Sequence, residues 1–158
     1  MKMAFYASTT GDWLENIKNL LIDNWDSSKT DNTTPKIRLI TDPALPKKLS
    51  FRYSDYILIY EENSDENVAD VGYYGRSQEM SIALDIRTER GRSRANKLYS
   101  EAESIILANR KSPADSEGNS LGMSYLVWRG STDLTNKRYR TWRYVARVDA
   151  FKPYQAVS

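Results

Sequence analysis

Met80-Ser81-Ile82-Ala83-Leu84-Asp85-Ile86-Arg87-Thr88-Glu89-Arg90-Gly91-Arg92-Ser93-Arg94-Ala95-Asn96-Lys97-Leu98-Tyr99 passes from one periodicity to another, and the fold turns on that passage. Met80, Ile82, Leu84 and Ile86 alternate with Ser81, Ala83, Asp85 and Arg87, which predicts a strand with one buried face over Met80 to Thr88. Ala95, Leu98, Tyr99, Ala102, Ile105 and Ile106 then recur at helical spacing as far as Arg110. Arg90, Arg92 and Arg94 fall at the junction, where the helix dipole is already positive. Cations there call for an answering anion, and the local sequence does not supply it.

Upstream, Asp12-Trp13-Leu14-Glu15 reads as a helix N-cap with a capping-box glutamate. Trp13, Leu14, Ile17, Leu20, Leu21 and Trp25 make an apolar stripe that should pack on a sheet, and the helix should stop near Trp25. Strand candidates follow at Lys36 to Thr41, at Phe51 to Tyr60 and at Val68 to Tyr74. Asn63 to Asn67 reads as an acidic hairpin-like tip, and Gly72 and Gly75 mark a bend or bulge.

Downstream, Ser112 to Ser120 has loop composition. Met123 to Arg129 is a strand candidate, Gly130 to Asn136 a connection, and the last strand falls within Tyr139 to Lys152. On that strand Trp142, Tyr144, Ala146, Val148 and Ala150 share one face, while Arg143, Val145, Arg147 and Asp149 share the other. The expected order is α-β-β-β-β-α-β-β. That is an α+β fold with a mixed, mainly antiparallel sheet covered by two helices, in a single domain over residues 1–158.

Cysteine and histidine are both absent. This excludes disulfides, thiolate and imidazole metal sites, and imidazole general bases, leaving carboxylate, lysine, tyrosine or serine chemistry. No stretch matches a signal peptide or approaches the ~20 apolar residues of a membrane span, so the expectation is a protein assembled inside a cell without a membrane partner.

The net charge of +2 conceals a segregation. Asp55, Glu61, Glu62, Asp65, Glu66 and Asp70 lie in a stretch without lysine or arginine. Arg129, Lys137, Arg138, Arg140, Arg143, Arg147 and Lys152 follow late in the chain against Asp133 and Asp149. One copy can bring such regions together within its own fold, or an assembly can set the acidic region of one copy against a basic edge of the next.

The arginines around Gly91 admit three readings: a phosphate site, a docking point for an acidic surface of a neighbouring subunit, or a solvated turn with internal ion pairs. Asp70, Glu79 and Asp85 with Lys97 or Arg87 are the residues from which a metal-dependent nuclease site could be built. An ion-paired strand face accounts for the same residues. The eleven tyrosines suit half-buried sheet positions, interfaces, or stacking on single-stranded bases.

Four pieces of the chain carry a likeness to a known family: Asp55-Tyr56-Ile57-Leu58-Ile59-Tyr60-Glu61; Leu84-Asp85-Ile86-Arg87-Thr88 running into Gly91-Arg92; Arg129-Gly130-Ser131-Thr132-Asp133; and Tyr139-Arg140-Thr141-Trp142-Arg143 leading to Val148-Asp149. With the leading amphipathic helix, the chain resembles the tail terminator, or tail completion, proteins of tailed viruses. The resemblance implies a structural, non-enzymatic virion subunit without cofactor, metal or catalytic residue. It also implies a homo-oligomeric ring, typically a hexamer, that ends tail-tube polymerisation at the head-proximal end. Its partners would be the tail tube protein and a neck or connector protein, with viral DNA passing through the lumen without sequence-specific binding. The ring would assemble in the host cytoplasm and reside in the virion. A head–tail joining or neck protein is the near alternative, and a nucleic-acid-binding protein or nuclease the alternative of another class. Within the ring, Glu61, Glu62, Asp65, Glu66 and Asp70 would face Arg87, Arg90, Arg92 and Arg94 of the next copy.

Overall fold

Met80 to Thr88 belongs to the central strand of a five-stranded sheet in the computed structural model. The structure describes residues 10–46, 49, 54–68, 76–114, 117–118 and 120–154, with side chains for all of these but 10–12, 63–68, 76–78 and 152–154. The strands are β1 (Lys36–Leu39), β2 (Tyr56–Val68), β3 (Arg76–Thr88), β4 (Tyr125–Asp133) and β5 (Trp142–Tyr154), lying in the order β1-β2-β3-β5-β4. Only β1 and β2 run parallel. Helices α1 (Thr10–Asn24) and α2 (Arg92–Ala108) cover one face, α1 over β1 and β2 and α2 over β3, β4 and β5. The α+β class and the mixed, mainly antiparallel sheet are as the sequence led one to expect.

The alternation in β3 and β5 decides which face is dry. Met80, Ile82, Leu84 and Ile86 of β3 join Ala146, Val148 and Ala150 of β5 and Ile57 and Ile59 of β2 in the core. Trp13, Ile17 and Leu21 of α1 and Leu98, Ala102 and Ile106 of α2 close over them, all essentially without exposure. Each such leucine or isoleucine contributes about 1.5–3 kcal/mol by leaving water.

Three local expectations are corrected. Helix α1 begins at Thr10, so Asp12 lies inside it and is not its cap. Residues 63–67, expected as a hairpin tip, continue β2: Asn63 to Val68 pair with Ser81 to Arg76 of β3, which itself pairs with β5. A ladder with a partner on its far side holds these polar residues extended despite their turn-like composition. Gly130 to Asp133 likewise prolong β4 past a bulge at Trp128/Gly130, where Gly130 takes a φ of +102° that other residues avoid. The connection to β5 moves to residues 134–141. The expected strand portions at 51–53 and 69–74, and Gly72 and Gly75, lie outside the described residues.

Candidate functional site

The arginine junction finds its anions within the same chain. Gly91, with φ +103°, turns the end of β3 into α2, and the first helical turn then swings over Asp55 just ahead of β2. Asp55 is buried, accepting the Thr88 hydroxyl on Oδ1 and Arg94 Nε and Nη2 on Oδ2 at 2.9 and 2.6 Å. Arg94 is 4% exposed; its Nη1 donates to the Thr30 carbonyl and lies 3.7 Å from Asp31. Arg90 Nε stands 3.9 Å from Asp55, and its backbone N–H donates to Thr88 Oγ1 at 3.0 Å. Arg92 Nη1 reaches the Tyr144 hydroxyl at 2.9 Å and Asp133 at 3.4 Å, while Tyr144 donates to Asn96. The expectation of a cation cluster without an anion is thereby corrected: the missing charges are Asp55, Asp31 and Asp133, brought in by tertiary packing.

Arg87, the fourth arginine named from the sequence, points to the sheet face away from the helices. There Asp85, fully buried, is gripped twice. Arg87 Nε and Nη2 donate at 3.1 and 2.7 Å, and Arg143 Nε and Nη2 at 3.0 and 2.9 Å. Burial pushes the Asp85 carboxyl up, but the two guanidiniums outweigh it and hold it below the ordinary carboxylate value. Asp85 in turn raises Arg143. A second knot lies toward the other end of the same face. Asp149 accepts Ser81 Oγ at 2.8 Å, Arg129 Nε at 2.7 Å and Arg147 Nε at 3.2 Å. Again burial works upward and the hydrogen bonds prevail, so Asp149 is held low. Between the knots an open hollow of about 450 Å³ is lined by Tyr60, Glu62, Arg129, Thr132, Val145 and Arg147. Tyr60 at its rim is raised, first by burial and then by the charge of Asp85.

These contacts bear directly on nuclease chemistry. Asp85 is occupied by two guanidiniums; Glu79 is six residues along the same strand, roughly 20 Å away; Lys97 is held by Asp31 at 2.6 Å. Asp70 lies outside the described residues. Among the described residues, Glu79 and Asp85 are not brought together, and no group of three acidic side chains is placed to hold a metal ion. Of the acidic set, Glu61 is half-buried, Glu62 is exposed on the hollow, and Asp65 and Glu66 stand in β2 opposite Glu79 and Gln78. Sequence reasoning missed Asp55 and Asp149 as anchors. The shared parity of Arg143, Arg147 and Asp149 was the available signal for the second.

Fold and contacts together define an α+β domain whose helix-free sheet face is stiffened by two buried carboxylates under four arginines. No protein-family model matches the chain, and no curated protein does. Among solved structures it is similar to a chain of the virion of a native gene transfer agent particle. The TM-score is 0.56 and the identity 13%, over 94% of this chain and 99% of that one. At that identity the likeness shows a shared fold.

Proposed function

We propose that this chain is a structural, non-enzymatic subunit of a virus-like particle, and within it the ring that closes the head-proximal end of the tail tube. The observation that carries the reading is the span of the fold likeness: 94% of this chain against 99% of a virion chain. The two chains thus share one fold over nearly all of their matched lengths. The clamped state of Asp85 supports a scaffold over a metal-dependent hydrolase, since a carboxylate holding two guanidiniums is a poor ligand for a divalent ion.

In this reading six copies contact head to tail, as a heterologous interface that closes into a ring requires. Glu61 and Glu62 stand at the middle of β2 and Asp65 and Glu66 in its outer half, while the exposed residues Arg90 and Arg92 lie past the opposite end of β3. The tail tube protein meets one side of the ring, a neck or connector protein the other, and DNA passes through without sequence readout. The test is the mass of the full-length protein by light scattering, with electron microscopy of the same sample alone and mixed with growing tail tubes. A discrete six-fold ring that caps tubes and stops their growth is the expected result. A neck protein would bind the connector and leave tube growth untouched. A monomer at all concentrations that binds no tube end would overturn the reading.

A further inference from the structure

We infer that the β4–β5 hairpin tip, residues 134–141, is the basic half of the head-to-tail contact and seats on the acidic outer end of the β2–β3 hairpin of a second copy. The inference rests on the ring reading and adds to it the surfaces that meet.

The tip is a built turn. Asn136 and Thr141 exchange backbone hydrogen bonds at 2.8 and 3.1 Å, and Asn136 Oδ1 accepts the N–H groups of Arg138 and Tyr139. Arg140 takes a φ of +53° and donates its N–H to the Lys137 carbonyl. This turn presents Lys137, Arg138 and Arg140 to solvent, and none of the three has an ion-pair partner among the described residues. Arg92, Arg94, Arg129, Arg143 and Arg147 all do. Between the cations stands Tyr139, 67% exposed, with the Arg138 guanidinium 5.7 Å from its ring centre, and Leu134 flanks the turn at 47%. Asp31 and Asp133, at this end of the sheet, are already engaged by Lys97 and Arg92.

The complementary surface is at the far end. Along the outer part of β2, Asp65 and Glu66 are joined by Glu79 of β3, with Arg76 and Lys152 in the adjoining register. Asp65 and Glu79 are direct register partners, and like charges facing each other across a ladder are destabilising unless a cation answers both. Arg129, raised first by its hydrogen bond to Asp149, also feels the charge of Glu79.

Register places the two surfaces. β5 pairs Trp142 with Thr88 at one end, and Asp65 stands opposite Glu79 nine residues further along β3, so the tip and the acidic register are separated by roughly 30 Å. No movement within one folded copy joins them; a second copy can. Opposite ends make the contact heterologous, the kind that propagates or closes. A cationic turn with an aromatic side chain also has the composition for nucleic-acid phosphate and bases, but the acidic stretch from Asp55 to Asp70, which holds no lysine or arginine, favours a second copy.

The experiment uses full-length protein and three variants: Arg138→Glu/Arg140→Glu, Asp65→Lys/Glu66→Lys, and the fourfold charge swap. Assembly is read by light scattering across a concentration series, folding by circular dichroism, and binding to duplex DNA by fluorescence anisotropy. Each double variant should stay folded and raise the concentration for half-assembly by roughly tenfold or more, and the fourfold swap should restore it. Assembly of Arg138→Glu/Arg140→Glu at the wild-type concentration overturns the inference and leaves the ring reading standing. So does loss of DNA binding with assembly unchanged. A wild-type protein that never assembles overturns both.

Discussion

Replacing Arg94 by methionine keeps most of the aliphatic volume and removes the charge that organises the start of α2. Two of its guanidinium nitrogens sit on Asp55 Oδ2, at 2.9 and 2.6 Å, and a third holds the Thr30 carbonyl. Both side chains are buried, at 4% and 2% exposure. After the change Asp55 keeps the Thr88 hydroxyl and the more distant Arg90, while the Thr30 carbonyl loses a donor. Removing one partner of a buried pair typically costs about 3–5 kcal/mol, because the other charge stays in a dry site. Arg90 can swing inward and offset part of that, so the lower end, about 3 kcal/mol, is the expected loss. For a chain of this size that corresponds to a fall in Tm of roughly 6–12 °C.

Urea unfolding followed by circular dichroism, at a concentration where the subunit is monomeric, measures the loss. The m-value should be unchanged. Asp55→Asn with Arg94→Met should cost less than the sum of the two single changes by at least about 1 kcal/mol, since the second substitution removes the stranded charge. An Arg94→Met protein within about 1 kcal/mol of the wild type, at equal m, would refute the anchoring. It would also return Arg94 to the set of side chains available to a partner.

Asp85 and Asp149 are both held below the ordinary carboxylate range, so the unfolded chain binds more protons between their folded values and about pH 4. Stability should therefore rise with pH across that window, be fully present above it, and be lost as pH falls through the folded values. Asp85→Asn should flatten this acid limb in a series of melts, and an unaltered limb would contradict the clamp. Gly91→Ala meets no atom within 4 Å, yet Gly91 has φ +103° and ψ 165°, a region nearly reserved to glycine. It should cost about 1–3 kcal/mol by thermal melt through backbone strain alone. Tyr144→Phe removes the hydroxyl that joins Arg92 to Asn96 and should cost about 1 kcal/mol in the same assay.

The dry side of the sheet was legible because parity is local. Met80 to Ile86 and Tyr144 to Ala150 each show their inward face within one segment, and the structure buries those residues. The partners of the junction were not legible, because no local rule links Arg94 to Asp55, thirty-nine residues earlier. That contact exists only after α2 has settled over β3 and drawn its first turn against the entry to β2. The same holds for Asp85 and Arg143, which meet through the β3–β5 register and not through spacing. Residues 63–67 and the segment from Gly130 have turn-like composition, yet pairing with β3 and a glycine bulge keep both extended. Local propensity lost to the ladder in each case.

The arginines of this chain divide by what surrounds the carboxylate. Asp55, Asp85 and Asp149 are at most 2% exposed at their side chains, so mobile counterions reach them poorly, and the bidentate grip on Asp85 uses a fork that lysine lacks. The tip cations stand in water, where the screening length falls from about 10 Å at 0.1 M salt to about 3 Å at 1 M. Added salt therefore acts on the two classes unequally: it weakens a contact made by Lys137, Arg138 and Arg140 well before it loosens the pairs beneath Arg94 or Arg143. A subunit so arranged can keep its shape under conditions that take an assembly apart, because the charges that fix its fold and those proposed to join copies lie in different dielectric surroundings.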